Sequence, residues 1–295
     1  MPLKAAAPVP SVDLPPMSHP PLAAHPDARG IGVFDSGVGG LSVLQALHRR
    51  LPQARLAYVA DSGYAPYGER DAAFVVERSR RIVAHLLDEG AAGIVVACNT
   101  ATAAAVRELR ARWPQVPIVG VEPGLKPAAA LTRNRCVGVM ATAGTLASAR
   151  FAALVQTQPP GVRFVLRRCP GLARLIEDGD LDAPELREAV ALHAGALRDA
   201  GVDTVVLGCT HYAIVRHHLQ AVLGPDVQIV DTADAVARQA ASLLADRIDA
   251  PPAATGAPPA RLQTTGDVAR LRRIAAAWLP FACRVDAADP APVPA

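Results

Sequence analysis

Short, mostly apolar segments alternate along the chain with longer segments rich in Ala, Leu and Arg. The short segments are apolar at successive positions, which is typical of strands in a parallel sheet that is buried on both faces. We predict strands at residues 31–34, 55–60, 94–97, 118–121, 137–140, 163–166, 204–207 and 228–230. The longer segments have helical length and period and predict helices at 38–51, 71–89, 101–112, 145–156, 184–200 and 212–223. Regular alternation of strand and helix predicts an α/β fold.

The chain also repeats itself. Three pairs of segments match in order and spacing: 31–36 with 137–142, 90–100 with 201–211, and 116–119 with 227–230. Chance similarity between Val-rich strands is the alternative explanation. The matched ends argue against chance, because Cys98 and Cys209 are both followed by hydroxyl, amide or imidazole side chains. The repeat therefore predicts two related α/β halves.

Cys98 and Cys209 each follow a predicted strand and precede a predicted helix. In open parallel sheets, ligands bind beyond the carboxyl ends of the strands. Amides at a helix N-terminus favour the thiolate, so we expect the pKa of each thiol to fall below about 8.5. If the halves face each other across a cleft, one thiolate removes a proton from a stereocentre and the opposite thiol delivers one to the other face. The pattern predicts a two-base isomerase.

Three other interpretations of this pair are open. Each cysteine could be a small buried hydrophobic residue, which is our expectation for Cys136, Cys169 and Cys283. The pair could form a disulfide, although a reducing compartment disfavours it. Cys209 and His211 form a Cys-x-His pair, but no dense set of further ligands follows at the spacing of a metal site. We expect no bound metal.

Composition and net charge limit the number of domains and the classes of partner. The chain has 295 residues, 51% of them hydrophobic and 19% charged, which suffices for one large or two ordinary domains. No apolar run approaches the roughly 18–20 residues that a membrane span needs. The net charge is only +3 and the basic residues are scattered, so we expect neither nucleic acid nor a membrane surface as partner. Five cysteines, an odd number at low density, fit reduced thiols in the cytoplasm.

Two cofactor classes are disfavoured by the sequence. The only lysines are Lys4 and Lys126, and a pyridoxal phosphate enzyme needs a Schiff-base lysine. Lys126 precedes Pro127 in a stretch that we expect to be a loop. The glycines at 37–40 lack the Gly-x-Gly-x-x-Gly spacing of a dinucleotide site.

Six motifs together resemble the glutamate racemase family, within the aspartate/glutamate racemase superfamily. They are Gly-Val-Phe-Asp-Ser-Gly-Val-Gly-Gly at 32–40, Pro-Tyr-Gly at 66–68, Ala-Cys-Asn-Thr-Ala-Thr-Ala at 97–103, Gly-Val-Glu-Pro-Gly-Leu-Lys-Pro at 120–127, Ala-Thr-Ala-Gly-Thr at 141–145 and Gly-Cys-Thr-His-Tyr at 208–212. The resemblance runs from about residue 29 to 245, and Thr-Thr-Gly-Asp at 264–267 with the helix after it resembles the family's C-terminal end. The sequence departs from the family in Ala213, where many members have proline, and in a longer Pro-rich arm.

The resemblance implies cofactor-independent racemisation of L- and D-glutamate by Cys98 and Cys209, which supplies D-glutamate for peptidoglycan. Another two-cysteine racemase or isomerase of the superfamily, acting on aspartate, hydantoin or maleate, is the alternative. A non-catalytic amino-acid-binding module that keeps the fold is a third hypothesis. The resemblance leaves open whether the protein forms a homodimer.

The resemblance also implies roles for further residues. Asp35, His211 and Glu177 would join the cysteines as catalytic residues, and Asp61 matches another acidic position near them. The substrate-binding set would be Asp35, Ser36, Tyr67, Gly68, Asn99, Thr100, Thr142, Thr210 and His211. A helix cap for Asp35, a packing role for Tyr67, and an exposed carboxylate for Asp61 and Glu177 are the structural alternatives.

For the fold, the resemblance implies two pseudo-symmetric, open parallel-sheet (flavodoxin-like) α/β domains with the active site in the cleft between them. We expect a disordered Pro-rich arm at 1–28 and a flexible tail at 284–295. The first domain would comprise 29–121 and 232–283, with a flexible insertion at 249–260. The second domain would comprise 122–231.

Overall fold

The structure is a computed structural model that describes residues 30–248 and 259–291. Its strands are β1 (Gly30–Asp35), β2 (Leu56–Ala60), β3 (Ala91–Val96), β4 (Ile118–Gly120), β5 (Cys136–Ala141), β6 (Arg163–Arg168), β7 (Thr204–Gly208), β8 (Gln228–Val230), β9 (Ala260–Thr264) and β10 (Cys283–Ala287). Each of the eight predicted strands overlaps one of them. The central strands are apolar and buried on both faces, and every paired strand is parallel to its neighbours. The α/β prediction is confirmed.

The helices cover both faces of the sheets. They are α1 (Leu41–Arg50), α2 (Ala72–Asp88), α3 (Asn99–Arg112), α4 (Leu125–Leu131), α5 (Ala143–Leu146), α6 (Ala149–Gln156), α7 (Leu172–Asp178), α8 (Pro184–Asp199), α9 (Arg216–Leu223), α10 (Ala233–Leu244) and α11 (Val268–Trp278). The helix predicted at 145–156 is divided, because Ser148 caps a new helix by accepting the Phe151 N–H at 3.1 Å. The helix predicted at 212–223 starts with a separate 3₁₀ turn at Thr210–Ala213. Within the described residues, no helix combines the length and apolar character that crossing a membrane requires.

Two sheets carry the repeat. The first has the strand order β10-β9-β2-β1-β3-β4, and the second has the order β6-β5-β7-β8. The order of β2-β1-β3-β4 is thus repeated by β6-β5-β7-β8. The register agrees as well, since Phe34 lies opposite Val96 in the first sheet and its repeat partner Met140 lies opposite Leu207 in the second. The two pseudo-symmetric, flavodoxin-like halves are confirmed.

The end of the chain differs from our prediction at Ala260 and over residues 284–287. After β8 the chain returns to the first sheet, where β9 pairs with β2 and β10 pairs with β9. The flexible tail is therefore wrong over residues 284–287, and the flexible insertion is wrong at Ala260, which begins β9 and is 2% exposed. The prolines after residue 289 suggested a loose segment, whereas parallel pairing with β9 fixes the backbone before them. The arm at 1–28, residues 249–258 of the insertion and residues 292–295 lie outside the described residues, and the domain limits stay a prediction.

Lys126 corrects a second expectation. It lies in the first turn of α4 and not in a loop, and its side chain is exposed. Pro127 is tolerated there because the first N–H groups of a helix have no intrahelical partner.

Candidate active site

The candidate residues meet where the two sheets face each other. Asp35 ends β1 and Cys98 follows β3, while Thr142 follows β5 and Cys209 follows β7. In each sheet these two strands are adjacent, and the chain leaves them in opposite directions, which is the switch point where α/β folds bind ligands. Several hydrogen bonds join the halves here. Among them, the Thr100 and Thr142 hydroxyls are 3.0 Å apart, and the Thr210 hydroxyl donates to Asp35 at 3.2 Å.

Cys98 belongs to the first half and caps the N-terminus of α3. Its Sγ accepts the Ala101 N–H at 3.5 Å and lies 3.7 Å from the Ser36 hydroxyl. The thiol is 5% exposed. Burial, and then the carboxylate of Asp35, raise the pKa of Cys98 well above its ordinary value. We had expected helix amides to lower this pKa, and the expectation was wrong because desolvation and a neighbouring negative charge exceed the one amide contact.

Asp35 is fully buried and serves both halves. Its Oδ1 accepts the Ser36 N–H at 2.7 Å, and its Oδ2 accepts the Gly40 N–H at 2.6 Å. Its other partner is Thr210, from the opposite half. Burial raises the pKa of Asp35, and the nearby charge of His211 opposes that rise. Asp35 therefore binds both halves of the molecule and fixes the glycine turn at the same time.

Cys209, 7% exposed, belongs to the second half and has a different partner. Its Sγ is 3.8 Å from His211 Nδ1, and His211 Nε2 is 2.7 Å from Glu177 Oε2. Burial lowers the pKa of His211, but hydrogen bonds to Cys209 and Glu177 outweigh it and raise the pKa well above its ordinary value. Burial raises the pKa of Glu177, but its hydrogen bond to His211 dominates and lowers it. The imidazole and carboxylate form a buried ion pair behind Cys209, so Glu177 is not an exposed carboxylate.

Tyr67 and Gly68 lie on a 3₁₀ turn beside Thr142. The Tyr67 hydroxyl fixes this turn to the protein interior, because it donates a hydrogen bond to Asp61, which is itself fully buried. Arg78 donates to both oxygens of Asp61, at 2.7 and 3.0 Å. Asp61 is thus an internal anchor for this turn and not an exposed carboxylate. A Cβ on Gly68 would lie 2.5 Å from Thr142 Cβ, which explains why glycine stands at this contact between the halves.

Asn99 and the threonines complete the cleft. Asn99 is buried, and its Oδ1 has no hydrogen-bond partner within residues 30–248 and 259–291, so an acceptor is open for a ligand. Thr142 also donates to Thr145 at 3.0 Å. Thr145 thereby forms a cluster of hydroxyl groups with Thr100 and Thr142. The sequence indicated Thr145 only as a member of the motif at 141–145.

Some residues of the site carry no sequence signal of their own. Tyr58 and Arg78 look like ordinary members of a strand and a helix, and Ser62, whose hydroxyl donates to Glu177, lies 115 residues away from it. Only the pairing of distant segments brings them to the site. A buried-strand tyrosine and an arginine on the inner face of a helix were the available hints.

Of the other three cysteines, Cys169 lies near Cys209, because burial and then the charge of Cys209 raise the pKa of Cys169 to about 12. All five thiols are free. Cys136 and Cys169 are buried as expected, whereas Cys283 is half-buried. In the part of the chain that the structure describes, no group of three or more His, Cys, Asp or Glu side chains is arranged to hold a metal ion.

The ion pair behind Cys209 gives a prediction for stability. A raised pKa of His211 stabilises the fold at pH below the ordinary value of histidine, and this contribution is lost as pH rises through the raised pKa. A lowered pKa of Glu177 stabilises it at pH above the ordinary value of glutamate, and this is lost as pH falls. We expect Glu177→Gln to cost about 1.5–3 kcal/mol, most between about pH 4.3 and 6.5.

Urea unfolding from pH 4 to 9 measures this difference, and Glu188→Gln, on the exposed side of α8, is the control. A Glu177→Gln cost that is the same at every pH would contradict the ion pair.

Known proteins resemble this chain in sequence and in fold. A family model described as Asp/Glu/Hydantoin racemase matches residues 31–240. A glutamate racemase of Ectopseudomonas mendocina (strain ymp) is 49% identical over 247 residues, which cover 83% of this chain and 92% of that relative. One from Pseudomonas aeruginosa (strain PAO1) is 50% identical over 221 residues, covering 75% of this chain and 83% of that relative.

Solved structures of glutamate racemases are similar to this fold. Glutamate racemase isoform RacE1 from Bacillus anthracis superposes with a TM-score of 0.78 at 31% identity, covering 90% of this chain and 98% of that chain. Escherichia coli glutamate racemase, in complex with L-glutamate and the activator UDP-MurNAc-ala, gives 0.76 at 30% identity, covering 88% and 98%.

Fold, cleft and relatives together define a racemase, which is an isomerase. The chain belongs to the Asp/Glu/Hydantoin racemase family. Within that family, the resemblance to glutamate racemase that the sequence indicated is confirmed.

Proposed function

We propose that the protein interconverts L- and D-glutamate without a cofactor, and that Cys98 and Cys209 are its acid/base pair. The observation that carries this proposal is that the two buried thiols come from equivalent strand ends of the two halves. Asp35 connects these ends, because it binds Ser36, whose hydroxyl is 3.7 Å from Cys98 Sγ, and Thr210, the residue after Cys209. One thiolate takes the Cα proton, and the opposite thiol gives its proton to the other face of the carbanion. The reverse reaction exchanges the two roles, so no proton is gained or lost overall.

The neighbours of each thiol support this chemistry. Burial and then the charge of Asp35 raise the pKa of Cys98, and the ammonium group of an amino acid beside Asp35 would offset that charge and favour the thiolate. His211, held by Glu177, lies 3.8 Å from Cys209 Sγ and can stabilise a thiolate there. Each thiol therefore has its own means of changing protonation state within one site.

The remaining residues fit the two carboxylates of glutamate. Helix N-terminal amides, with Ser36, Asn99, Thr100 and Thr210 beside the thiols, would hold the α-carboxylate. The turn at Tyr67 and Gly68, with Thr142 opposite, would hold the side-chain carboxylate. The relatives named above are glutamate racemases, and two solved relatives contain D- or L-glutamate. This supports glutamate over a shorter substrate.

We further propose that the D-glutamate serves peptidoglycan synthesis in the cytoplasm. The five free cysteines are consistent with a reducing compartment. We also propose the domain limits given by the sequence, with 29–121 and 232–283 in one domain and 122–231 in the other, extended to residue 287 by β10.

Incubation in D₂O tests the reaction. We expect L-glutamate to incorporate deuterium at Cα and lose optical activity, and L-aspartate to remain unchanged. Exchange with L-aspartate, a hydantoin or maleate in place of glutamate would indicate another member of the superfamily. Absence of exchange with all of them would indicate a binding module and overturn the proposal.

A further inference from the structure

Tyr58 lies behind the site and belongs to none of the groups assigned above. It is on β2, and its side chain is fully buried. Its hydroxyl donates to the carbonyl oxygen of Gly37 at 2.5 Å. A phenol in the first sheet therefore holds the backbone of the glycine turn that follows β1.

That turn holds a carboxylate from each half of the molecule. The Gly40 N–H donates to Asp35 at 2.6 Å, and the Val38 N–H donates to Glu177 Oε2 at 2.9 Å. Glu177 in turn binds His211 at 2.7 Å. The position of the turn thus sets the geometry of the carboxylate near Cys98 and of the ion pair behind Cys209.

The turn has no free space on its second-half side. A Cβ on Gly37 would lie 2.2 Å from Glu177 Oε2, and a Cβ on Gly39 would lie 2.5 Å from the His211 backbone nitrogen. Backbone this close to His211 and Glu177 transmits a shift of a few tenths of an ångström directly to them. On the side of the first half, the Tyr58 hydroxyl holds the turn in place through its hydrogen bond to the Gly37 carbonyl oxygen.

We propose that Tyr58 is a positioning residue for the racemase reaction: by holding the Gly37 carbonyl, it fixes the turn whose amides orient Asp35 and Glu177. This proposal rests on the proposed function. Burial and the charges of Asp35 and Glu177 raise the pKa of Tyr58 well above its ordinary value, so the phenol stays protonated and always donates. The ring fills the core, so removal of the oxygen alone separates the hydrogen bond from packing.

Tyr58→Phe tests the proposal. We expect kcat to fall by about tenfold to 100-fold, because small displacements of catalytic groups have effects of this size, with a smaller change in KM. We also expect the acidic limb of the pH profile to move to higher pH, because Asp35 and Glu177 lose part of the amide hydrogen bonding that favours their ionised forms. A side chain that only supported the core would not move that limb.

Ile82→Val is the matched control. Ile82 is fully buried on α2 in the same half, and its substitution costs a similar free energy of unfolding, about 1 kcal/mol. Urea unfolding establishes that both variants are folded. The proposal is supported if Ile82→Val keeps the kcat and pH profile of the wild type while Tyr58→Phe does not. It is overturned if Tyr58→Phe keeps both, or if the two variants change equally.

An NMR titration of the His211 ring separates this proposal from the proposed function. We expect the pKa of His211 to fall in Tyr58→Phe and to stay unchanged in Ile82→Val, whatever substrate the enzyme uses. A wild-type protein that does not exchange glutamate would overturn the proposed function, whereas an unchanged His211 titration in Tyr58→Phe would overturn the role of Tyr58.

Discussion

Alanine at Cys98 or at Cys209 is expected to reduce racemisation of glutamate by about 10³-fold or more, since each removes one of the two groups that we propose to act in every turnover. Both single variants should fail equally in the L-to-D and D-to-L directions, because the equilibrium constant between enantiomers stays at unity. Polarimetry in both directions measures this. Cys283→Ala is the control, since that thiol lies on β10, outside the cleft, and should leave the rate unchanged.

The two variants should differ in deuterium exchange. With one thiol left, the enantiomer that presents its Cα proton to that thiol can lose and regain hydrogen on the same face. We therefore expect Cys98→Ala to exchange one enantiomer slowly without inversion, and Cys209→Ala to exchange the other. Substantial inversion by either variant, or slow exchange of the same enantiomer by both, would contradict the assignment of one thiol to each face.

Methionine at Arg78 is expected to destabilise the fold by about 3–5 kcal/mol, the usual cost of leaving one member of a buried ion pair alone. Arg78 and Asp61 have side chains that are only 6% and 0% exposed, and they are 2.7 Å apart. Urea unfolding measures the loss. Arg81→Met is the control on the same helix, because its pair with Glu77 is partly exposed, with side chains 28% and 39% exposed, and should contribute less than about 1 kcal/mol.

A double variant, Arg78→Met with Asp61→Leu, refines this result. Removal of both charges leaves no isolated ion, so part of the lost stability should return. Return is incomplete because the Tyr67 and Thr265 hydroxyls also donate to Asp61. A cost for Arg78→Met no larger than that for Arg81→Met would mean that the pair contributes nothing beyond a surface contact.

The sequence predicted the fold where hydrophobicity and repetition act together. The central strands β1, β3, β5 and β7 are apolar on both faces, and the repeat predicted two related halves. Strands β9 and β10 were missed for physical reasons. Gln263 is polar although it is 1% exposed in β9, and β10 lies at the sheet edge where Arg284 is exposed. Neither strand has the apolar run on which the prediction depended.

The site was predictable where residues lie at strand ends. Cys98 and Cys209 follow from position alone. The family resemblance added Asp35, Glu177 and His211, and the structure brings the last two within 2.7 Å of each other. The charges around Cys98 could not be predicted, because the pKa of a thiol depends on burial and on Asp35, which precedes it by 63 positions. Support from Tyr58 and Arg78 depends on the packing of whole elements.

The hydrogen bonds that cross from one half to the other have a consequence for ligand exchange. Thr100 meets Thr142, Asp35 meets Thr210, and the Val38 N–H meets Glu177, all within the same buried cleft. We expect a molecule as large as an amino acid to reach the two thiols only when some of these contacts are broken. On the proposed mechanism, admission and release of substrate then require an opening motion, and these contacts between the halves hold the closed form.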